Sequence, residues 1–286
     1  MSIRRIGISL KADHPQLAPL LRELEKWLRD RGIEVLLGPE TATASGLPGM
    51  PRSELVDKVD LMVVLGGDGT LLSVARTIGE RPIPVLGVNL GTLGYLAEIS
   101  LDELFPTLER VLAGELRTET RMRLDVRAER DGRELCQYLA LNDAVIARTA
   151  LSRMIDLRAW ADGIDVTTYH GDGVIVATPT GSSAYSLSAG GPLLLPGLGA
   201  IVLTPICSHA LTQRPLVLPE TYRVELEVLD RRGGEVHLTV DGQVSCELQE
   251  GDRVSLRASE QPLRLLVPAD RNRFEVMRSK LRWGER

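Results

Sequence analysis

The sequence predicts two fold classes in succession: an α/β domain with a parallel sheet flanked by helices, then a predominantly β domain, an antiparallel β-sandwich. Three observations carry this. Leu61-Met62-Val63-Val64-Leu65 is an apolar run of the kind buried on both faces, and it ends in a glycine elbow, Gly66-Gly67-Asp68-Gly69-Thr70, that feeds a helical pattern. Strand-like and helix-like segments alternate as far as about residue 116, as in a parallel sheet wrapped by helices. Beyond that point short period-two runs recur, punctuated by Asp131-Gly132, Asp162-Gly163, Gly233-Gly234, Asp241-Gly242 and Gly251-Asp252.

In the first domain, 1–116, Ile6 to Leu10 reads as a strand and His14-Pro15 as a break. Gln16 to Arg31 carries a helical stripe at Leu17, Leu20, Leu21, Leu24 and Leu28, closed by Gly32. Val35 to Leu37 is a second strand. Gly38 to Pro51, rich in Gly, Pro, Thr and Ser, reads as a mobile loop. A short helix over Ser53 to Lys58 precedes the elbow. Ile83 to Val88 forms the next strand and ends in a second glycine-spaced loop, Asn89 to Leu96, before a helix over Leu101 to Ala113. Two glycine loops at one edge of a parallel sheet make a mouth for a nucleotide. Neither matches the dinucleotide fingerprint or the P-loop.

The second domain is expected to span 117–270, with strands from Leu124 to Ala128 through Leu263 to Val267. The closing segment, Arg271 to Trp283, is helical in pattern, with Phe274, Met277, Leu281 and Trp283 as its stripe; residues 271–286 are expected to pack back on the first domain.

Composition narrows the function. With 34 Lys and Arg against 39 Asp and Glu, the formal net charge is −5, which argues against nucleic acid or an anionic membrane as the main partner. Hydrophobic content of 43% and charged content of 26% suit an ordinary globular protein. The longest apolar candidate, Leu193 to Ile206, is broken by Pro196 and Pro205, and Met1 to Leu10 is too short and mixed for a signal peptide. Cys136, Cys207 and Cys246 are odd in number and widely spaced, so a reducing, cytoplasmic setting is expected.

Three stretches carry candidate chemistry. In the elbow, three glycines let a polyphosphate approach the backbone, so Gly66, Gly67, Gly69 and Thr70 are candidate phosphate ligands. Asp68 has two readings: a metal anchor or proton acceptor beside phosphates, or a cap on the next helix or its own turn. In the glycine-bearing loop Gly171 to Pro192, the middle, Thr180 to Ser188, packs hydroxyls and small residues where a helix starts, offering donors to phosphate and Tyr185 to a base, or else acting as a capping segment. Asn142-Asp143 follows a strand, where such residues also form ordinary turns.

The combination is more specific than its parts. Gly66 to Thr70, Asn142-Asp143, Gly171-Asp172-Gly173, Thr178 to Pro192 and Asp241-Gly242-Gln243, in this order, resemble the bacterial NAD kinase family over about residues 60–245. The resemblance implies ATP-dependent phosphorylation of the adenosine-ribose 2′-hydroxyl of NAD, a divalent cation, normally magnesium, and a homo-oligomer, dimer or tetramer. It implies Asp68 as proton acceptor. Asp68, Gly69, Asn142, Asp143, Arg153, His170, Asp172, Ser183, Ala184, Tyr185, Ser186, Leu187, Ser188 and Gln243 would be dinucleotide contacts, with Asp172 contributed across a subunit contact. Ser183 stands where the family more often has Thr and keeps the hydroxyl. Metal ligands stay unassigned. Asp68→Asn is expected to keep the fold and NAD binding while losing turnover. A lipid or sugar kinase sharing the GGDG loop, and a non-catalytic NAD or NADP sensor, are the rival readings.

Overall fold

The computed structural model describes residues 3–11, 17–91, 94–148, 154–210, 212–229, 235–268 and 272–281. The chain divides into two compact units, Met1–Thr120 with Leu263–Arg286, and Arg121–Pro262.

The first unit runs β1 (Arg5–Leu10), α1 (Ala18–Arg29), β2 (Glu34–Leu37), α2 (Pro39–Ser45), α3 (Arg52–Lys58), β3 (Leu61–Leu65), α4 (Asp68–Ile78), β4 (Pro84–Asn89), β5 (Ile99–Ser100), α5 (Leu104–Ala113) and β6 (Arg117–Arg121). β2, β1, β3 and β4 pair in that order, all parallel. β3 lies in the interior of the sheet, which is why its five residues are all apolar: Leu61, Val63, Val64 and Leu65 have no exposed surface. Each such side chain is worth roughly 1.5–3 kcal/mol over leaving it in water. Because β3 and β4 are parallel neighbours, the glycine elbow after Leu65 and the loop after Asn89 leave the same edge of the sheet.

The second unit continues with β7 (Leu124–Arg130), β8 (Arg133–Ala140), β9 (Asp143–Arg148), β10 (Ile155–Ala161), β11 (Ile164–Gly171), β12 (Gly173–Ala177), the single turn α6 (Tyr185–Ser188), β13 (Ala200–Ile206), β14 (Leu216–Pro219), β15 (Val224–Val228), β16 (Val236–Val240), β17 (Val244–Leu248) and β18 (Arg253–Ala258). One sheet has the order β11-β10-β15-β18-β7-β8, the other β14-β13-β12-β9-β16-β17, and their ladders are antiparallel. Alternate residues of both sheets, Val126, Leu157, Leu226 and Leu256 from one and Ile146, Val174, Leu203 and Leu238 from the other, share one core. The opposite face of the second sheet is also covered: Val145, Ile175, Ala177 and Val202 pack with Ala189 and Leu194. That explains why β12 and β13 are buried throughout rather than alternating. The hairpin turns use the expected chemistry, with Asp131, Asp162 and Asp241 at φ 51, 48 and 52° and a glycine at positive φ after each.

Three expectations change. The stretch read as a mobile loop contains α2, which starts on Pro39, a residue preset for the first helical turn, and ends at Gly46 in the left-handed conformation (φ 71°). Thr41 and Ser45 are buried in it, and the Thr41 hydroxyl accepts the Leu10 amide at 2.9 Å. Leu263–Val267, expected in the sandwich, is instead β19 of the parallel sheet: Arg264 and Leu265 pair in parallel with Pro84 and Val85. A short apolar run states that it is a strand, not which sheet it joins. The last helix, α7 (Arg273–Leu281), belongs to the first unit and buries Met277, but Phe274 is exposed. His14-Pro15, Gly233-Gly234 and Trp283 lie outside the described residues.

Candidate functional site

The glycine elbow turns the chain from β3 into α4 with Gly67 as the N-cap and Asp68 as the first helical residue. Its three glycines serve different ends. A Cβ on Gly66 would stand 2.5 Å from the Thr70 hydroxyl oxygen, so this glycine is required by packing within the elbow. Its amide donates to the Val88 carbonyl at 2.9 Å, and the Thr70 amide to the Gly67 carbonyl at 3.0 Å. Both amides are thus engaged within the elbow and with the neighbouring strand. Around Gly67 and Gly69 a Cβ would meet open space. Gly67 and Asp68 stand at the end of a helix whose first N–H groups lack intrahelical partners.

Asp68 is neither a cap on α4 nor a free carboxylate. Its oxygens accept three consecutive amides of the second glycine loop: Tyr95 on Oδ2 at 3.0 Å, Leu96 and Ala97 on Oδ1 at 3.1 and 3.2 Å. The loop is held in turn by Gly94, whose amide donates to the Ala97 carbonyl at 3.0 Å, and by close packing on Gly87 of β4. The Tyr95 phenol oxygen is buried with no partner among the described residues. Its burial, with the Asp68 charge nearby, pushes its pKa up and keeps it protonated.

In the second unit, three segments gather at one edge of the doubly covered sheet. Asp143 opens β9 opposite Ala177, the last residue of β12, and Val240 closes β16 opposite Ala144. Asn142-Asp143, the loop from Thr178 and the Asp241-Gly242-Gln243 turn are thus neighbours. The Asp241 carboxylate accepts the amides of Leu141, Asn142 and Asp143 at 2.7–3.1 Å. Asp143 itself is buried, and desolvation, helped by the Asp241 charge, raises its pKa to about 7. Gln243 is exposed.

The hydroxyl-rich loop is mostly self-supporting. Thr178 bonds the Leu141 carbonyl at 2.6 Å and the Gly181 amide at 3.1 Å, and Ser182 bridges Pro179 and Leu194. Gly181 is required because a Cβ would lie 2.0 Å from the Asn142 carbonyl oxygen. Ser186 is fully buried against the Thr204 hydroxyl at 2.8 Å, so its side chain faces the interior rather than a ligand. On a single helical turn, residues one and two apart face different ways, so the Ser186 hydroxyl points elsewhere than that of Ser188. Tyr185 and Ser188 are exposed, and Ser183, Ala184 and Leu187 are half-buried. The Ser183 hydroxyl donates to the Thr180 carbonyl at 3.0 Å. The buried Thr180 hydroxyl has no partner among the described residues.

His170 and Asp172 stand apart from this gathering, at the opposite end of β12. His170 Nδ1 pairs with the Asp156 carboxylate, and its ring meets that of His209 edge-on at 6.1 Å. Gly171 and Gly173 allow close strand contact, where a Cβ would come within 2.7 Å of the Ile206 carbonyl oxygen and 2.3 Å of the Ile146 one. Between them Asp172 is exposed; its carboxylate accepts the Cys207 thiol and raises the thiol's pKa. Arg153 lies outside the described residues.

Sequence reasoning missed the amides of Tyr95, Leu96 and Ala97, Gly94, Thr204, and the part Asp241 plays in shaping the Asn142-Asp143 turn. The glycine spacing of Asn89 to Leu96 was the available signal for the first. Among the described residues no three or more His, Cys, Asp or Glu converge as they would to hold a metal ion. No described helix is long and apolar enough to cross a membrane.

Comparison with known proteins follows these same regions. Residues 6–116 match the ATP-NAD kinase N-terminal domain and residues 141–267 the ATP-NAD kinase C-terminal domain. The chain is 47% identical over 285 residues to the NAD kinase of Geobacter sulfurreducens, covering 99% of this chain and 100% of that one. It is 47% identical over 286 residues to the NAD kinase of Solibacter usitatus, covering 99% of each. Yeast NADH kinase complexed with NADH superposes with a TM-score of 0.93 at 27% identity, covering 100% of this chain and 89% of that one. An NAD kinase from Archaeoglobus fulgidus in complex with ATP gives 0.78 at 27% identity, covering 96% and 99%.

Proposed function

The chain belongs to the ATP-NAD kinase family and has NAD kinase activity, and on that premise we propose that Asp68 takes the proton from the ribose 2′-hydroxyl of NAD as ATP phosphorylates it. One observation carries this reading. The Asp68 carboxylate is fixed by three amides at the start of a helix, between two glycines whose missing side chains leave open space. A ribose hydroxyl is a weak acid and a poor nucleophile, so positioning and late proton transfer to such a carboxylate supply much of the rate.

In this reading Gly67 and Gly69 admit the ATP phosphates close to the helix terminus, whose dipole favours negative charge. Asn142, Asp143, Gln243 and the exposed side of the Ser183–Ser188 turn hold NAD, with Tyr185 offering a ring face. Arg153 also contacts it, and so does His170, which stands at the same end of β12 as Asp172 and reaches it as Asp172 does. Asp172 reaches the dinucleotide from a second copy of the chain, which makes the working form a homo-oligomer. The separation of Asp172 from the Thr178 loop by the five residues of β12, about 17 Å at ~3.3 Å per residue, supports that. The divalent cation, magnesium, arrives on the ATP phosphates as part of the substrate. The setting is the cytoplasm.

The test is to incubate pure protein with ATP, magnesium and NAD and to follow NADP, with Asp68→Asn alongside. NADP formation lost in a folded Asp68→Asn protein is the expected result. A folded variant with a near-normal rate removes Asp68 from the role. NAD binding without turnover in the unmodified chain would favour a sensor.

A further inference from the structure

Gly94 is a glycine for a reason that lies far from it in the chain. A Cβ there would stand 2.1 Å from Asp68 Oδ1 and 2.9 Å from its Cγ. No neighbour could give way cheaply, because the obstructing group is a short carboxylate pinned by three amides at a helix start. Gly94 does not need the left-handed conformation; its φ is not among the positive values of the chain. Gly67 and Gly69, by contrast, face open space. The missing side chain at 94 therefore serves one end, to let the Asp68 carboxylate seat against Tyr95, Leu96 and Ala97.

That seating also distinguishes the two oxygens. Oδ1 accepts two amides, which engage both its lone pairs, while Oδ2 accepts one among the described residues and keeps a lone pair open. We propose that Gly94 is a positioning residue of the phosphoryl transfer, and that the seat it permits makes Oδ2 the oxygen that receives the proton. This rests on the reading of Asp68 as proton acceptor. In the step, the ribose 2′-oxygen bonds to the γ-phosphorus. The bond from that phosphorus to the bridging oxygen breaks, its electron pair staying on ADP, and the hydroxyl proton passes to Oδ2. An alanine at 94 leaves its Cβ at 2.1 Å from Oδ1, short of an ordinary contact by roughly 1 Å, so the carboxylate is forced off its amides, and a shift of ~1 Å in a reacting group costs on the order of 10²-fold.

The experiment is a double-mutant cycle of Gly94→Ala and Asp68→Ala, measured as kcat and KM with ATP, magnesium and NAD, and as melting temperature. Gly94→Ala is expected to lower kcat about 10²-fold with KM for NAD changed less than about threefold. The double variant is expected to be no slower than Asp68→Ala alone, since Gly94 acts only through that carboxylate. A purely structural role would add its loss in both backgrounds, and that result overturns the proposal. So does a normal kcat, or a raised KM at unchanged kcat, in Gly94→Ala when Asp68→Ala is inactive. Asp68→Ala at a near-normal rate instead sinks the reading beneath it. If Gly94→Ala alone does not fold, the double variant must still fold with the melting temperature of Asp68→Ala. Its failure to do so overturns the proposal. A complex with NAD that sets the 2′-oxygen against Oδ1 overturns the choice of oxygen.

Discussion

The two units contain the same device put to different ends. In each, one carboxylate accepts three consecutive main-chain amides from a segment distant in sequence: Asp68 holds Tyr95 to Ala97, and Asp241 holds Leu141 to Asp143. Asp68 stands at a helix start between two glycines with open space beside them, and its clasp leaves Oδ2 with a single amide among the described residues. Asp241 sits in a left-handed hairpin turn and is spent on shape: it folds Asn142-Asp143 into position and adds its charge to the burial that lifts Asp143 to about 7. A clasped carboxylate is thus no sign of function by itself. What surrounds its remaining lone pairs decides.

This contrast can be broken most forcefully at Asp68. Asp68→Asn should lose roughly 10²–10⁴-fold in kcat at saturating substrates, the usual worth of proton transfer to a positioned base. It should also cost about 1–3 kcal/mol of stability by denaturant melts, because an Asn nitrogen must face one of the amides. Asp241→Ala should divide the other way, losing about 2–4 kcal/mol of stability as three amides lose their acceptor, and raising KM for NAD far more than it lowers kcat. Equal losses in kcat from the two variants would erase the distinction.

A finer probe is pH. Desolvation, with the Asp241 charge second, moves Asp143 from 3.8 to about 7, so between those values the folded chain holds a proton the unfolded chain has released. Its contribution to stability is full below pH 3.8, declines as pH rises and is gone above about 7. The interval bounds the effect at about 4 kcal/mol. Asp143→Asn should therefore melt higher than the unmodified chain at pH 8 and show a flatter dependence between pH 5 and 8. A parallel dependence in both proteins would refute the assignment.

The smallest effect on folding belongs to Gly67→Val. With open space where its Cβ falls and an extended backbone, the substitution should change stability by less than about 0.5 kcal/mol while raising KM for ATP about tenfold and leaving NAD binding nearly unchanged. Gly66→Ala, which drives a Cβ into Thr70, should instead destabilise the elbow. Calorimetry with each ligand separates the two.

How much of this was legible in the sequence follows the range of each interaction. The β3 elbow and the Asp-Gly turns are local, so spacing and residue type state them outright. The helix at Pro39–Ser45 is marked by Pro at its start and Gly at its end, but its short, polar sequence has no apolar stripe, and the burial of Thr41 and Ser45 comes only from packing. Ser186 reads like its neighbours Ser183 and Ser188 until the fold sets Thr204 beside it. Gly94 was visible as one of several spaced glycines. The reason for it is a carboxylate 26 positions earlier, and no local pattern encodes such a distance.

The parallel pairing of Leu263–Val267 beside β4 bears on how the molecule is made. The sheet order sets this strand between β4 and β6, although some 140 residues of the other unit are translated before it. A fragment ending at residue 120 would leave β4 and β6 without their shared neighbour. On the ribosome, the amino-terminal layer thus waits, one slot unfilled, until everything inserted into it has emerged.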